Sequence, residues 1–308
     1  MVNSHWLNIM SLFFFRLNPF LFSGLFFILV CFPFSGKAAD QDSIKRGKYI
    51  LQATGGCSCH TDPANPDQKF AGNRPLKTPY GPIYSSNITS DQQTGIGRWT
   101  LDDFVQSMTK GERPNGDHLF PVFPYTTFTG MKKSDLTDLF HYLQTIPAIK
   151  KETKSNEMLP PFGWRFGLFF WKLVFFKSGT FIEQTDKAVE WNRGAYLVES
   201  MAHCSECHTP RNLAGALKKD LKFAGSVEGA EGQLAPNITP DVETGIGSWQ
   251  KADLDWFLQT GQKPDGDATE GIMNEVIVEG YQNLTDSDLN AISEYMLSQK
   301  AIKNKLSP

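Results

Sequence analysis

Cysteine is scarce in this chain, five in 308 residues, and histidine hardly commoner, at six. So few cysteines argue against the dense disulfide framework of small exported domains. An excess of positive charge is also missing. Lys and Arg number 30 against 33 Asp and Glu, the net charge is -3, and no nucleic-acid motif is present, so nucleic acid is excluded as a partner. No run of residues reads as a strand ladder, which points away from sheet-based folds. Disorder is excluded by 40% hydrophobic and only 20% charged residues. The length suffices for two domains, each with its own core.

Residues 17–34, "LNPFLFSGLFFILVCFPF", form an apolar run with Arg16 before it and "SGKAAD" after it. It reads as a signal peptide cleaved after Ala38 or Ala39, or as an uncleaved N-terminal anchor, since it approaches spanning length. Either reading exports the body of the protein. Cys31 is an apolar residue of that run. The remaining cysteines, Cys57, Cys59, Cys204 and Cys207, form two local pairs, each followed at once by a histidine. Pairs so close cannot staple a fold.

The chain repeats itself at a spacing of about 150 residues. "RGKYIL" at 46–51 returns as "RGAYLV" at 193–198, and "NITSDQQTGIGRW" at 87–99 as "NITPDVETGIGSW" at 237–249. "RPNGD" at 113–117 matches "KPDGD" at 263–267, and "KKSDLTDLFHYLQT" at 132–145 matches "TDSDLNAISEYMLS" at 285–298. Each half opens with a helix, over 43–53 or 191–201, and passes through long Gly/Pro/Asn-rich loops. A second helix begins near Thr100, where Thr100 and Asp103 fit a capping box, and near Ser248 in the second half. A closing helix carries Leu136, Leu139, Phe140 and Leu143, or Leu289, Ile292, Tyr295 and Met296, at helical spacing. The fold class is all-α, with loops that need a large buried group to pack on. Gly47 and Gly194 interrupt the opening helices, where glycine is unfavourable by about 1 kcal/mol. Close approach of the closing helices through Tyr142 and Tyr295 would explain them.

"AHCSECHTPRN" at 202–212 is the strongest chemical signal. Two thiols flanking two residues reach the two vinyl groups of haem, and the adjacent histidine takes the iron. Cys204 and Cys207 are then the thioether positions and His208 the proximal ligand. A zinc site would have to pool both cysteine pairs and would leave the histidines unexplained; a thioredoxin-type pair lacks its βαβ context. In the first half the motif is one residue short: Cys57-Ser58-Cys59-His60. Gly47 lies ten residues before Cys57, as Gly194 does before Cys204, so the deficit falls between the cysteines. Both thioethers form with a distorted turn, only Cys59 bonds, or maturation fails; at least one thioether is expected, with His60 as ligand.

A distal methionine suits an electron carrier. Met273 in "EGIMNEV" takes that place in the second half. Phe123 stands at the equivalent position of the first half and cannot bind iron; Met131 is the expected ligand there, with His118 or an open position as alternatives. Trp99 and Trp249 close the shared loop, packing on haem, bonding a propionate or filling the core.

With these motifs the chain resembles a dihaem c-type cytochrome. It is similar to the cytochrome c subunits of membrane-associated bacterial dehydrogenases of the alcohol and gluconate type. The resemblance rests on "RGAYLVESMAHCSECHTPRNLAGAL", the twin "NIT…TGIG…W" motifs and "HLFPVFPYTTFTGM", and runs from about Ile44 to Ile302. It implies two tandem class I cytochrome c domains, residues 40–152 and 189–308, after a leader at 1–39 and joined by an aromatic-rich connector at 153–188. Such subunits usually carry three haems; this chain has motifs for two covalently bound haem c groups. Within the connector, "LPPFGWRFGLFFWKLVFF" at 159–176 is too short and charged to span a membrane. It is expected to strap the halves together, or to lie on a membrane or a partner. The expected function is transfer of single electrons in the periplasm, at or anchored to the membrane. The donor would be a dehydrogenase or quinol and the acceptor a small cytochrome or oxidase. No catalytic residue is assigned. The alternative is a dihaem redox enzyme, of peroxidase or thiosulfate-oxidising type, with an unusual first haem.

Overall fold

The protein is described by a computed structural model covering residues 41–307; the leader or anchor expected at 1–39 lies outside the described residues. Among the described residues ten α-helices follow one another: α1 (Gln41–Ala53), α2 (Leu101–Lys110), the short α3 (Tyr125–Phe128), α4 (Lys133–Leu143), α5 (Gly167–Phe175), α6 (Val189–Tyr196), α7 (Cys204–His208), α8 (Lys251–Thr260), α9 (Gly271–Glu279) and α10 (Asp286–Leu297). The one sheet among the described residues is a two-residue antiparallel ladder, β1 (Pro75–Leu76) on β2 (Ile83–Tyr84), with Pro75 opposite Tyr84. The helical class expected from the sequence holds, with this small ladder added.

The caps are those the sequence dictates, with one shift. Thr100 Oγ1 accepts from Asp103 N at 3.1 Å while Asp103 Oδ2 accepts from Thr100 N at 2.9 Å. This box starts α2, and Gly111, at φ 62°, ends it. In the second half the helix starts at Lys251 rather than near Ser248, because Gln250 takes the cap position and donates its N–H to Asp253 Oδ2 at 2.8 Å. The turn of the preceding loop, Trp249 N to Ile246 O at 3.0 Å, holds the chain out of the helix until then. Both apolar stripes of the closing helices are buried.

α1 packs on α4 and α6 on α10, and the two glycines are the reason they can. A Cβ on Gly47 would lie 2.7 Å from Tyr142 Cβ and closer still to the Asp138 carbonyl oxygen. On Gly194 it would lie 2.9 Å from Tyr295 Cβ and closer still to the Ala291 oxygen. α6 runs on through a π-helical turn, Leu197–Met201, toward the second cysteine motif. Asn87 Nδ2 donates to Ile149 O at 2.7 Å, and Asn237 Nδ2 to Ile302 O at 2.8 Å. Each "NIT" loop thereby pins the chain that leaves the closing helix.

The halves share one apolar core. α9 packs on the turn Gly55–His60 of the first half, and Tyr49 Oη donates to Asp288 Oδ2 at 2.5 Å. The segment at 159–176 touches both halves: Lys172 Nζ donates to Gly111 O at 3.0 Å and Trp171 Nε1 to Ala214 O at 2.8 Å. Among the described residues no helix is long and apolar enough to cross a membrane.

Candidate haem-binding sites

His60 and His208 sit in the same frame. His60 Nδ1 donates to Ser86 O at 2.7 Å, and His208 Nδ1 to Pro236 O at 2.7 Å. The acceptor is a carbonyl in both cases, so the proton is on Nδ1. The carbonyl of each histidine accepts from a glycine, Gly72 or Gly225, at 2.7 Å. The following threonines, Thr61 and Thr209, accept from Phe70 N at 3.1 Å and Phe223 N at 3.0 Å. Burial lowers both imidazole pKa values, and the carbonyl hydrogen bond only partly offsets it. Each ring is therefore neutral at pH 7, with its tautomer fixed and the Nε2 lone pair free, the state that binds a metal.

The four cysteines of the two motifs are free of disulfides. The second motif is a helical turn, entered through His203 in the left-handed region at φ 45°. In the first motif Gly55 and Gly56, at φ 77° and 74°, lead into Cys57, which is left-handed too at φ 55°. This left-handed run takes up the one-residue deficit, at a cost of about 1 kcal/mol for its one non-glycine residue. The thiol groups are half-buried side chains in dense surroundings. Burial pushes Cys57 up to about 11, Cys204 to about 12 and Cys207 to about 11, and raises Cys59. They are neutral thiols, unsuited to disulfide exchange. A charge on Cys59 would raise Cys207 further, so the two motifs face one junction. Among the described residues no three His, Cys, Asp or Glu side chains converge as a metal site of their own.

The expected distal residues are placed differently from one another. Met273 is half-buried on α9 against the shared core. Met131, 2% exposed, lies in the same core just ahead of α4. His118 stands apart from them: its Nδ1 accepts from Lys172 Nζ at 2.8 Å, and Glu112 lies 3.8 Å away. Phe123 packs edge-on against Phe128, centroids 5.6 Å apart. Trp99 and Trp249 pack against the core from their loops.

Three residues at the junction carry no sequence signal of their own. Arg74, its side chain 7% exposed, reaches across to Glu231 at 2.6 Å and Glu275 at 2.6 Å. His203 Nε2 donates to Thr54 O at 3.2 Å. Tyr281 Oη donates to Ala202 O at 2.9 Å, two residues before Cys204. Each contact joins residues far apart in sequence, which only a folded chain reveals.

No family model matches the sequence. Individual proteins do. The chain is 36% identical over 266 residues to the fructose dehydrogenase cytochrome subunit of Gluconobacter japonicus, covering 86% of this chain and 54% of that one. It is 35% identical over 289 residues to the gluconate 2-dehydrogenase cytochrome c subunit of Pantoea cypripedii, covering 90% and 64%. It is 34% identical over 289 residues to a diheme cytochrome c-type of Cereibacter sphaeroides, covering 93% and 90%. The chain belongs to the c-type cytochrome family. It thus spans only part of the dehydrogenase subunits, but nearly all of the diheme protein.

Proteins of this family hold haem through covalent bonds to cysteine. The residues present fit that group. The two neutral, tautomer-fixed imidazoles each follow a free thiol directly. The cytochrome also has two guanidinium groups suited to carboxylates near the first frame. Arg113 Nη2 lies 3.4 Å from Oγ of Ser86, the residue whose carbonyl holds His60. Burial, then the charge of Arg165, lowers the Arg113 pKa, so the two cations face each other. Arg165 itself donates to His118 O at 2.7 Å. Among the described residues neither forms an ion pair, and haem propionates are the anions such a pair would hold.

Proposed function

We propose that the chain is a two-haem electron relay built of two tandem class I cytochrome c domains, 40–152 and 189–308, joined by the connector at 153–188. The observation that carries this reading is the twin histidine frame: two imidazoles, each with Nδ1 donating to a backbone carbonyl and Nε2 left free. Haem supplies a one-electron iron couple. His208 would hold the second haem by Nε2, with Cys204 and Cys207 as its thioether positions and Met273 as distal ligand. His60 would hold the first, with Cys59 and the left-handed Cys57 as attachment positions and Met131 as distal ligand. The neutral imidazoles keep their protons on the carbonyl side through the redox cycle, so the protein moves electrons without moving protons at these atoms. Both attachment turns lie at one junction, which suits transfer between them.

The chain would work in the periplasm, at the membrane. The names of its relatives support a dehydrogenase as donor; a quinol is the other candidate donor, and a small cytochrome or oxidase would accept. The apolar run at 17–34 supports export. The test is haem content by the pyridine haemochrome spectrum of protein made in a host with cytochrome c maturation. Two haems per chain are expected, with no carbon monoxide binding in the reduced state. One haem would reduce the relay to a single carrier. A reduced haem that binds carbon monoxide would favour the redox-enzyme alternative instead.

A further inference from the structure

The segment between the halves turns its most apolar face outward. Phe166, Phe169, Phe170, Leu173 and Val174, on α5 and its first flanking residue, follow the spacing of one helical stripe. All five are at least half exposed, from 50% at Phe169 to 73% at Val174. The opposite side of the helix faces protein. Leu168 is buried with Ile83 and Phe120, and Trp171 and Lys172 spend their N–H groups on carbonyls of the two halves. This inverts the usual surface helix, whose apolar stripe faces the core. Exposed Leu159, Phe162 and Trp164 extend the patch ahead of α5. Leu213, also exposed, adjoins it: its carbonyl accepts from Tyr80 Oη at 2.6 Å, and the Tyr80 ring stacks on Phe162. A contiguous apolar surface of this kind marks a binding face.

Charge selects the occupant. Residues 158–182 hold Arg165, Lys172 and Lys177 and no acid, with Glu157 and Glu183 just beyond either end, and the segment at 209–220 holds Arg211, Lys218 and Lys219 against the single acid Asp220. Arg211 is paired with Glu206, while Lys177, Lys218 and Lys219 are exposed. In a chain of net charge -3 this is a local basic rim around an apolar stripe, complementary to an anionic surface. The five stripe side chains carry no donor or acceptor that would fix the register of a protein partner. They match acyl chains instead. At nine residues α5 is about 14 Å long, far short of a bilayer core, so it can only lie flat.

We propose that α5 is a monotopic membrane contact. Its stripe from Phe166 to Val174 sinks into the acyl boundary of a bilayer containing anionic phospholipid, with the lysines at the headgroups. This deepens the reading of the chain as a membrane-side carrier. Its test uses purified, haem-loaded full-length protein and pure lipid, so it stands or fails apart from the choice of donor and acceptor.

The experiment places the photo-crosslinker p-benzoylphenylalanine at Phe170, and at Val242, which is exposed elsewhere, as control. Both proteins are irradiated with vesicles of phosphatidylcholine mixed with phosphatidylglycerol. Peptide mass spectra should show a phospholipid adduct at 170 and none at 242. A second protein carrying Phe169→Glu, Phe170→Glu and Leu173→Glu should lose vesicle affinity at least tenfold with its haem spectrum unchanged. Wild-type affinity should fall when phosphatidylglycerol is left out. The proposal is overturned by the absence of a lipid adduct at 170, by an adduct there to a second protein chain instead, or by equal flotation of the triple variant.

Discussion

Arg193 grips Asp288 with one edge of its guanidinium, Nε 2.8 Å from Oδ1 and Nη2 2.7 Å from Oδ2. The same carboxylate accepts from Tyr49 of the other half. Arg46 and Asp138 repeat the pairing in the first half, Nε to Oδ2 at 2.6 Å, with Ser43 donating to Oδ1 at 2.5 Å. Each pair ties the opening helix of its half to the closing one, a few residues from the glycine at their crossing.

These carboxylates make stability depend on acid. Burial alone would raise the Asp288 pKa, but the hydrogen bonds from Arg193 and Tyr49 outweigh it and hold the group below its usual range. Asp138 is lowered likewise, burial being outweighed by Arg46 and Ser43. A folded pKa below the unfolded value stabilises the fold above that unfolded value, about 4. The contribution is lost as pH falls through the lower, folded value. Urea unfolding followed by circular dichroism should show a steady midpoint at neutral pH and a decline below about pH 4. Asp288→Asn should be less stable at pH 7 and have a shallower decline; a decline as steep as the wild type's would reject the assignment.

The helix crossings allow a sharper comparison. Gly47→Ala and Gly194→Ala drive a methyl group into a backbone carbonyl and a tyrosine Cβ. Each should cost about 2 kcal/mol or more, since overpacking of this kind is not relieved without moving a helix. Gly167→Ala, at the start of α5, meets nothing within 4 Å and should be neutral or stabilising by up to about 1 kcal/mol. Thermal melts of the three variants would separate them by several degrees.

Arg74 is a buried charged link between the halves. Arg74→Met leaves Glu231, 19% exposed, without its partner, while Glu275 at 39% is partly hydrated. The expected loss is about 3 kcal/mol, the lower end of the range for breaking a buried pair, measured by denaturant unfolding. A loss below about 0.5 kcal/mol would place the pair among ordinary surface contacts.

Arg113 tests the first haem frame by potential. Arg113→Gln removes a half-buried positive charge next to Ser86, whose carbonyl holds His60. Loss of a nearby cation favours oxidised iron, so one of the two couples in a redox titration should fall by on the order of 50 mV. The other should not move. A shift in both couples, or in neither, would remove Arg113 from this role.

Much of this architecture is written locally. The Thr100–Asp103 cap, the apolar stripes of α4 and α10, the cysteine–histidine motifs and the two misplaced glycines are patterns within a turn or two of chain. Helix period, capping and thiol spacing are short-range physics, so the sequence alone sufficed for them. The sequence places the start of α8 three residues early because Gln250, a weaker cap signal than Thr100, takes the cap there. Left-handed backbone at Cys57 is how the shortened motif closes its turn, which the spacing alone does not show.

The tertiary structure alone decided the rest. Arg74 meeting Glu231 and Glu275, His203 meeting Thr54 and Tyr49 meeting Asp288 join positions with no shared pattern, because docking of one half on the other depends on the summed shape of both surfaces. The orientation of α5 belongs here too. Its sequence is apolar nearly all round, and only the contacts of Leu168, Trp171 and Lys172 fix which side meets protein and which side is left to face outward.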